Sequence, residues 1–581
     1  MRLEDYWGVG PKTREQLESS IGTEAAVEAI EGADVRTLVE AGLSRGRATR
    51  ILRHAIGDAG LETLSTSDTR SVYKDVIDLA VEHAVTAGAA DRIRVLTPLA
   101  SREPMVERLD AVLAVRDAWS DLEGNERAAV LDAFETYDAA GESERAAVEA
   151  ALALRGAGLE SGPFERVADL DPDDLRAAAD ALAGLEDGEV REGVDDELDR
   201  RRDALRAVEH LKADAIDVIE DLRATGARDT DEFREAFVEY VREEADVDPA
   251  RIREAAPTGA TDVTDFVGEG LRELAEDFQS ELEDREECVR TDLEADVAEA
   301  RADVDAAIEA VDDIAFYLSL GRFADAYDMT RPTFSPGNGV AIDRGRNLNL
   351  VTAEAAVQPV TYALGEYDLD LKPDPEDERI AVLTGANSGG KTTLLETVCQ
   401  VVLLASMGLP VPAERAQVTV FDDIVFHRRH ASFNAGVLES TLRTIVPPLA
   451  DEGRTLMLVD EFEAITEPGS AADLLHGLVR LTVDREALGA FVTHLAEDLE
   501  PLPDEARVDG IFAEGLGADL DLEVDYQPRF HTLGKSTPEF IVSRLVADAG
   551  DRNERSGYET LAEAVGSDVV QRTLADARWD G

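Results

Sequence analysis

The sequence has only two cysteines among its 581 residues, Cys288 and Cys399. They lie far apart, with no CxxC pair or neighbouring histidine, so neither a zinc site nor a disulfide framework is predicted. No apolar run reaches the ~20 residues that a membrane-spanning helix needs. The first residues also lack the basic segment and apolar stretch of a signal peptide. These absences predict a cytoplasmic protein that has reduced structural thiols and no membrane partner.

Lysine is also scarce. There are six lysines, and arginine supplies the rest of the 58 basic residues, which face 125 acidic ones for a formal net charge of −67. A functional polyanion, such as a histone-binding tail, would concentrate its acids in blocks, whereas here they are spread along the chain. Adaptation to a halophilic cell is favoured, because in molar salt the Debye length falls to about 3 Å and self-repulsion is screened.

The length predicts three or four domains. Residues 60–320 are rich in Ala, Glu, Asp, Arg and Leu, with apolar residues at spacings of three and four, which indicates helices. The pattern predicts one long helix over 190–225 and another over 262–320, with a shorter helix over 229–244 between them. Two long helices around a short insert suggest an antiparallel arm with a tip.

The pattern changes near residue 329, where proline and glycine interrupt the helical periodicity. Short apolar runs at 379–383, 455–459 and 490–493 then alternate with helical stretches. This alternation predicts an α/β domain with a mostly parallel sheet.

Residues 385–392 match the phosphate-binding loop pattern GxxxxGK[ST]. The glycines let backbone N–H groups face the phosphates, the lysine reaches the β- and γ-phosphates, and the threonine hydroxyl binds Mg²⁺. An apolar strand precedes the loop and a helix follows it, as the motif requires. The sequence predicts binding of ATP or GTP, most simply ATP with Mg²⁺, by Gly385, Ala386, Asn387, Ser388, Gly389, Gly390, Lys391, Thr392 and the adjacent Thr393.

A pair of acids follows about 70 residues later, where the run 455–459 ends in Asp460 and Glu461. We expect Asp460 to hold Mg²⁺ and Glu461 to polarise the attacking water. The next strand ends in His494, which either contacts the γ-phosphate or the water, or merely caps the strand. Asp-Glu followed by His is the order of ABC-type ATPases, whose sites form only when two P-loop domains face each other.

Several segments resemble the MutS-type DNA mismatch-repair ATPases. The loop with Thr384 is similar to the family's TGPNxGGKS/T, and residues 406–413 are similar to its G-x-x-V-P-A stretch. Residues 431–433 resemble its S-T-F signature, 460–468 its DE-L-G-x-G-T-D-P segment, 108–112 its RLDAV and 331–332 its RP. The likeness covers about residues 90–545.

The resemblance implies an ATPase that acts as a homodimer on DNA. The form of residues 460–468 points to the family's second branch, which does not read mismatches, and we expect no mismatch-reading domain before residue 60. By analogy with S-T-F, Ser432 would reach across the dimer to the partner's nucleotide. Glu463 and Ile465 stand where the family has glycines, which puts signalling through the dimer in question.

The N-terminal segment 1–57 is nearly neutral, with eight basic and nine acidic residues. Residues 7–13 resemble the hairpin of a helix-hairpin-helix motif, and 41–48 resemble a second copy. Such hairpins offer backbone N–H groups to a DNA phosphate without reading sequence. The predicted contacts are Gly8, Gly10, Lys12, Gly42, Arg45, Gly46, Arg47 and Arg50. The alternative is a small helical cap or a protein-interaction hairpin.

The predicted domains are a helix-hairpin-helix DNA-binding domain at 1–57, a helical core at 60–185, a helical lever or clamp arm at 186–328, a MutS-like ABC-type P-loop ATPase at 329–545 and a short helical tail at 546–581. The first hypothesis is a sequence-nonspecific DNA-binding ATPase in repair or recombination control. A nucleotide-gated clamp on ribosome or protein partners is the alternative. SMC-like and transporter ATPases carry an LSGGQ-like signature that this chain lacks.

Overall fold

A computed structural model describes residues 2–157, 164–186, 189–224, 230–257, 262–351, 357–385, 390–428, 435–451, 453–465, 468–516, 522–534, 538–566, 570–571 and 573–574. The chain divides into two compact units. The first contains Met1–Asp138, Ser161–Pro163 and Asp312–Gly581, and the second contains Ala139–Glu160 and Phe164–Val311. The domain boundaries inferred from the sequence differ from these divisions and stay predictions.

The first unit begins with short helices around a small core of their own. They are a 3-10 turn at Leu3–Asp5, then α1 (Pro11–Ser20), α2 (Thr23–Glu31), α3 (Val35–Glu40) and α4 (Arg45–Glu62). Leu17, Ile30, Leu38 and Leu52 are fully buried among them. Further helices follow: α5 (Ser67–Val81), α6 (Ala87–Arg94), α7 (Arg102–Asp121) and α8 (Gly124–Ala139).

The second unit is almost wholly helical. Its elements are α9 (Glu144–Gly156), α10 (Glu165–Ala168), α11 (Pro172–Gly184), β1 (Leu185–Glu186), β2 (Glu189–Val190), α12 (Asp196–Ala213), α13 (Ala215–Ala224), α14 (Thr230–Ala245), α15 (Pro249–Ala255), α16 (Val263–Glu299) and the start of α17 (Arg301–Ala326). Arg285, within α16, lies with its guanidinium 2.6 Å from the carboxylate of Asp195, the residue that caps the start of α12. Further along, Arg201 donates to the carbonyl of Glu281, so the two helices run in opposite directions.

The prediction of two uninterrupted long helices in this region is wrong. The first begins at Asp196, not 190, and is broken at Asp214. The Asp214 N–H donates the last hydrogen bond of α12, to the carbonyl of His210, and the Asp214 carbonyl accepts the first hydrogen bonds of α13. The second is broken at Ala300, which leaves helical geometry with φ −89° and ψ 7° and whose carbonyl starts α17. Neither break has a glycine or proline at the break itself, and the apolar periodicity continues across both. The sequence therefore gives no signal for either break.

The C-terminal part of the first unit is α/β. Its elements are β3 (Pro332–Phe334), β4 (Gly339–Gly345), β5 (Val360–Gly365), β6 (Ile380–Gly385), α18 (Lys391–Ser406), β7 (Arg415–Val418), β8 (Asp423–His427), α19 (Ala435–Ile445), α20 (Pro447–Ala450), β9 (Thr455–Asp460), a 3-10 turn at Phe462–Ile465, α21 (Pro468–Asp484), β10 (Leu488–Val492), a 3-10 turn at Ala496–Leu499, β11 (Ala506–Leu516), β12 (Leu522–Arg529), α22 (Pro538–Asp548) and α23 (Arg552–Val565).

The larger sheet has six strands in the order β12-β11-β6-β10-β9-β8. Its strands from β11 to β8 are parallel, and only β12 pairs antiparallel. The inner strands β6, β9 and β10 are buried along their whole length, which explains their continuous apolar sequences. Since β10 lies between β6 and β9, the carboxyl ends of all three meet at one edge, where open α/β sheets bind ligands.

A smaller, mixed sheet has the order β3-β7-β4-β5. In the described part of the chain, no helix is both long and apolar enough to cross a membrane.

Candidate functional site

The turn from β6 into α18 carries the phosphate-loop motif. Gly385 ends the strand with φ +128°, and a Cβ there would lie 2.1 Å from the carbonyl oxygen of Ile511, so only glycine fits. Gly390 precedes α18 with φ +73°, a left-handed conformation that also favours glycine. The predicted residues between them, Ala386, Asn387, Ser388 and Gly389, lie outside the described residues.

Lys391 begins α18 and is buried, with 5% of its surface exposed. Its Nζ donates to the carbonyl oxygen of Gly385 at 3.1 Å, so the lysine folds back over the loop. Burial lowers the pKa of Lys391, while Glu461, Asp460 and Glu463 act in the opposite direction. The cationic side chain therefore lies among three acids at the carboxyl edge of the sheet.

Asp460 ends β9 with 4% of its surface exposed. Its Oδ2 accepts from the Thr392 hydroxyl at 2.7 Å, and among the described residues its buried Oδ1 has no hydrogen-bond partner. Burial raises the pKa of Asp460, and the Thr392 hydrogen bond opposes the shift. A hydroxyl and a carboxylate with an unsatisfied buried oxygen are hard donors that suit Mg²⁺, so Thr392 and Asp460 fit the predicted ion.

Glu461 follows with φ +42°, a backbone conformation that is uncommon outside glycine. Its N–H donates to the carbonyl of Val492 at 3.0 Å, which fixes the residue against the end of β10. Its Oε1 lies 3.2 Å from Nε2 of His494. The predicted acid and histidine are therefore hydrogen-bond partners at the sheet edge, and the Glu461 carboxylate can accept a proton from a nearby water.

Glu463, at one of the positions where a family glycine was expected, also holds His494. Its Oε1 accepts the backbone N–H of His494 at 2.7 Å. The other oxygen, Oε2, is buried without a hydrogen-bond partner within the described residues. The sequence comparison noted the departure at Glu463 without predicting this contact, and the side chain of Ile465 lies outside the described residues.

A cavity of about 530 Å³ opens beside these groups. Its lining includes Gly390, Lys391, Thr392, Thr393 and Glu461, together with Leu350, Gln358 and Tyr526. This volume is within the range of small-molecule sites. Lys391, Thr392 and Glu461 contribute charged and polar groups to the lining, and Leu350 and Tyr526 contribute apolar ones, so the cavity suits a ligand with both charged and apolar parts.

Tyr526 of β12 is a cavity residue that the sequence analysis missed. It is 41% exposed, and a Cβ added at Gly390 would lie 2.8 Å from its ring. Its backbone N–H donates to the Gln358 side chain at 3.2 Å, which attaches the strand to the chain before β5. No motif marks this tyrosine, because the pairing of β12 with β11 and of β11 with β6 brings it to the loop.

Ser432, the predicted contact across a dimer, lies outside the described residues.

The two N-terminal hairpins lie side by side. Arg47 donates to the Thr13 hydroxyl at 2.5 Å and to the Gly8 carbonyl at 3.4 Å, so the start of α4 is bonded to the hairpin before α1. Gly8 and Gly42 have φ +80° and +92°, which the tight turns require. Both helices begin without a side-chain cap, at Gly10 and Ser44.

Some of the residues predicted to bind DNA phosphates contact other protein groups, whereas others are exposed to solvent. Arg47 is engaged with the first hairpin, and Arg45 lies 3.5 Å from the Asp91 carboxylate. Lys12 and Arg50 are exposed, and a Cβ at Gly46 would meet open space. The exposed cations Lys12 and Arg50 are therefore the better candidates for an external anion.

Known proteins resemble the part of the chain that holds this site. Residues 381–495, which hold the loop, Asp460, Glu461 and His494, match the family model for MutS domain V. The chain is 46% identical over 208 residues to the DNA-binding protein MutS2 of Pyrococcus furiosus, covering 36% of each chain.

Over residues 381–495 this chain is therefore similar to the MutS proteins.

Other MutS relatives match over longer stretches. The DNA mismatch repair protein MutS of Natronomonas pharaonis is 30% identical over 411 residues, covering 63% of this chain and 45% of the relative. The Endonuclease MutS2 of Solidesulfovibrio magneticus is 29% identical over 258 residues, covering 42% and 31%. The matched part spans less than half the length of each of these relatives.

Proposed function

We propose that this protein is an ATP-dependent, sequence-nonspecific DNA-binding ATPase of the second MutS branch, acting in DNA repair or recombination control. The observation that carries the proposal is a cavity lined by Lys391, Thr392 and Glu461 at the carboxyl edge of the sheet. Asp460 is hydrogen-bonded to Thr392, and His494 to Glu461. The phosphates would lie at the loop, and the purine base would lie against the exposed ring of Tyr526.

Each of these residues has a separate proposed role in hydrolysis. Lys391 would neutralise charge on the β- and γ-phosphates, for which it must leave the Gly385 carbonyl. Thr392 and Asp460 would hold Mg²⁺, which when bound neutralises phosphate charge. Glu461 would orient the attacking water and accept its proton, and His494 would hold the Glu461 carboxylate in place.

We further propose that two chains complete the site. The Asp-Glu and His order is that of ATPases whose nucleotide is enclosed by a second P-loop domain, and Ser432 would supply the contact from the partner. A homodimer of this kind would couple ATP binding to the closing of a clamp around DNA.

Replacing Thr392 with Val should weaken Mg²⁺-dependent nucleotide binding. The change removes the hydroxyl and, with it, the hydrogen bond that Thr392 donates to the Asp460 carboxylate. We expect the Mg²⁺ concentration for half-maximal ATP binding to rise about 10- to 100-fold. Titrating Mg²⁺ at fixed fluorescent ATP measures it. Thr392→Ser keeps the hydroxyl and should behave like the wild type, and equal Mg²⁺ dependence in Val and Ser variants would remove Thr392 from the metal site.

DNA binding is proposed for the paired hairpins before α1 and α4. The uncapped N-termini of these helices offer N–H groups to phosphates, and the exposed Lys12 and Arg50 add charge. The rest of the chain is strongly acidic and repels DNA. Contact should therefore concentrate on residues 1–57, with avidity from a dimer adding to weak single contacts.

A Lys12→Ala, Arg50→Ala double variant tests this assignment. If each cation neutralises one phosphate, the slope of log affinity against log salt for duplex DNA should fall in magnitude by about two. Fluorescence anisotropy across a KCl series measures the slope. The control is Arg36→Ala, whose guanidinium is exposed but paired with Glu40 at 2.9 Å. An unchanged slope in the double variant would rule out these hairpins as the DNA contact.

A further inference from the structure

The first hairpin displays a large aromatic side chain to solvent. Trp7 is 52% exposed, whereas its neighbours Tyr6 and Val9 are buried. Its indole stacks on the imidazole of His54, with ring centroids 3.8 Å apart and planes inclined by 22°. One face of the indole is therefore covered by His54, and much of the remaining ring surface is open to solvent.

The backbone around Trp7 holds this arrangement in place. The Tyr6 hydroxyl donates to Glu31 at 2.6 Å, which fixes the preceding residue inside the core. Gly8 follows with φ +80°, and a Cβ there would lie 3.2 Å from the Ile51 side chain. Arg47 donates to the Gly8 carbonyl. With Tyr6 facing inward and Gly8 held on α4, Trp7 is directed outward onto His54.

His54, which backs Trp7, lies on the same helix as Arg50, one of the exposed cations proposed to bind DNA. Arg50 and His54 are four residues apart on α4, so their side chains are neighbours on one face. Arg50 and His54 are separated by about 6 Å along the helix, or roughly two base steps of one B-form strand. A strand with a phosphate near Arg50 would bring a base within reach of the open face of Trp7.

We propose that Trp7, backed by His54, is a stacking platform for an unstacked nucleic-acid base, so that the protein prefers DNA with unpaired bases over continuous duplex. This inference rests on the proposed DNA-binding function of residues 1–57. An intact duplex keeps its bases stacked on each other, whereas a single-stranded overhang, gap or branch offers a free π-face.

The acidic composition makes a contact that does not depend on ion pairs especially useful to this protein. Phosphate contacts weaken steeply with salt, and a chain with a net charge of −67 is suited to molar salt. Stacking of a base on an aromatic ring is not an ion-pair contact and is worth about a five- to 150-fold gain in affinity. The preference for unpaired bases should therefore persist in salt that abolishes most duplex binding.

The test compares three DNA probes with the full-length protein in 0.2 M and 2 M KCl. One is a covalently closed duplex without ends, the second carries a three-nucleotide overhang, and the third carries the same overhang made abasic. The wild type should bind the normal overhang at least about fivefold more tightly than the abasic one. Trp7→Ala should lose this ratio and Trp7→Phe should keep part of it. The matched control is Leu561→Ala, a truncation of a 51% exposed apolar side chain on α23.

Each other outcome counts against a stated part of the proposal. Equal affinity for normal and abasic overhangs, with duplex binding intact, overturns the platform and leaves the DNA-binding function standing. An equal loss on all three probes in Trp7→Ala makes the tryptophan a structural residue and also overturns the platform. Failure of the wild type to bind any probe overturns the proposed DNA-binding function, and the platform with it.

Discussion

Glu461→Gln should lower the ATP turnover number by about 10²- to 10⁴-fold, the range that a positioned general base contributes. Gln keeps the size of the side chain and its hydrogen bond to His494 but cannot accept a proton from water. ATP affinity should stay close to that of the wild type, because Lys391, Thr392 and Asp460 are unchanged. Phosphate release under saturating ATP and equilibrium binding of a fluorescent nucleotide measure the two quantities separately.

Glu463→Gln is the matched control for this prediction. It makes the same chemical change two residues away, and the remaining amide oxygen can still accept the His494 N–H. We expect only a small loss of turnover in this variant. Equal losses at the two positions would mean that the cavity needs the negative charge rather than a proton acceptor. Normal turnover in Glu461→Gln would eliminate Glu461 as the base.

The sequence could predict the chemical centre of the site because its groups sit at strand ends. Asp460 and Glu461 follow one buried apolar run and His494 follows the next, and parallel neighbouring strands bring such ends to one edge. The structure has them within hydrogen-bonding distance of each other or of Thr392. The assignment of roles to these residues stays a prediction.

The rest of the cavity could not be predicted, because it depends on pairing between distant strands. Tyr526 reaches Gly390 only through the order β12-β11-β6, and β12 is a polar, partly exposed edge strand without a strong apolar pattern. The mixed sheet of β3, β7, β4 and β5 is likewise built from short runs that carry no partner information. Helix breaks at Asp214 and Ala300 escaped prediction because ordinary helix-compatible residues occupy them.

A buried ionic group under the phosphate loop is another feature without a sequence motif. Arg507 is 2% exposed, and its Nε lies 3.0 Å from Oδ2 of the fully buried Asp509. It also donates to the Ala363 carbonyl at 2.6 Å and lies 3.4 Å from the Glu378 carboxylate. The Asp509 carbonyl in turn accepts the hydroxyl of Thr384, the residue before the loop, at 3.0 Å. The network therefore connects the charge cluster to the strand that carries the loop.

Arg507→Met should destabilise the folded first unit by about 3–5 kcal/mol, because removal of the cation leaves Asp509 and Glu378 without their buried partner. Urea unfolding at fixed salt, monitored through loss of nucleotide binding, measures the change. The control is Arg344→Met, which breaks an exposed pair with Glu414 and should cost about 0–1 kcal/mol. A second variant, Arg507→Met with Asp509→Leu, should be more stable than Arg507→Met alone, because no uncompensated aspartate remains.

The cost of Arg507→Met should also depend on pH, with a definite sign. Burial raises the pKa of Asp509 even in the wild type, where Arg507 opposes the shift. Without the cation the folded-state pKa rises further above the unfolded value, so the folded state binds more protons than the unfolded one. Stability of the variant should then increase as pH falls from 7 towards 5, and its deficit relative to wild type should shrink. A deficit that is constant or grows over this range would mean that lost packing, not the stranded carboxylate, causes the destabilisation.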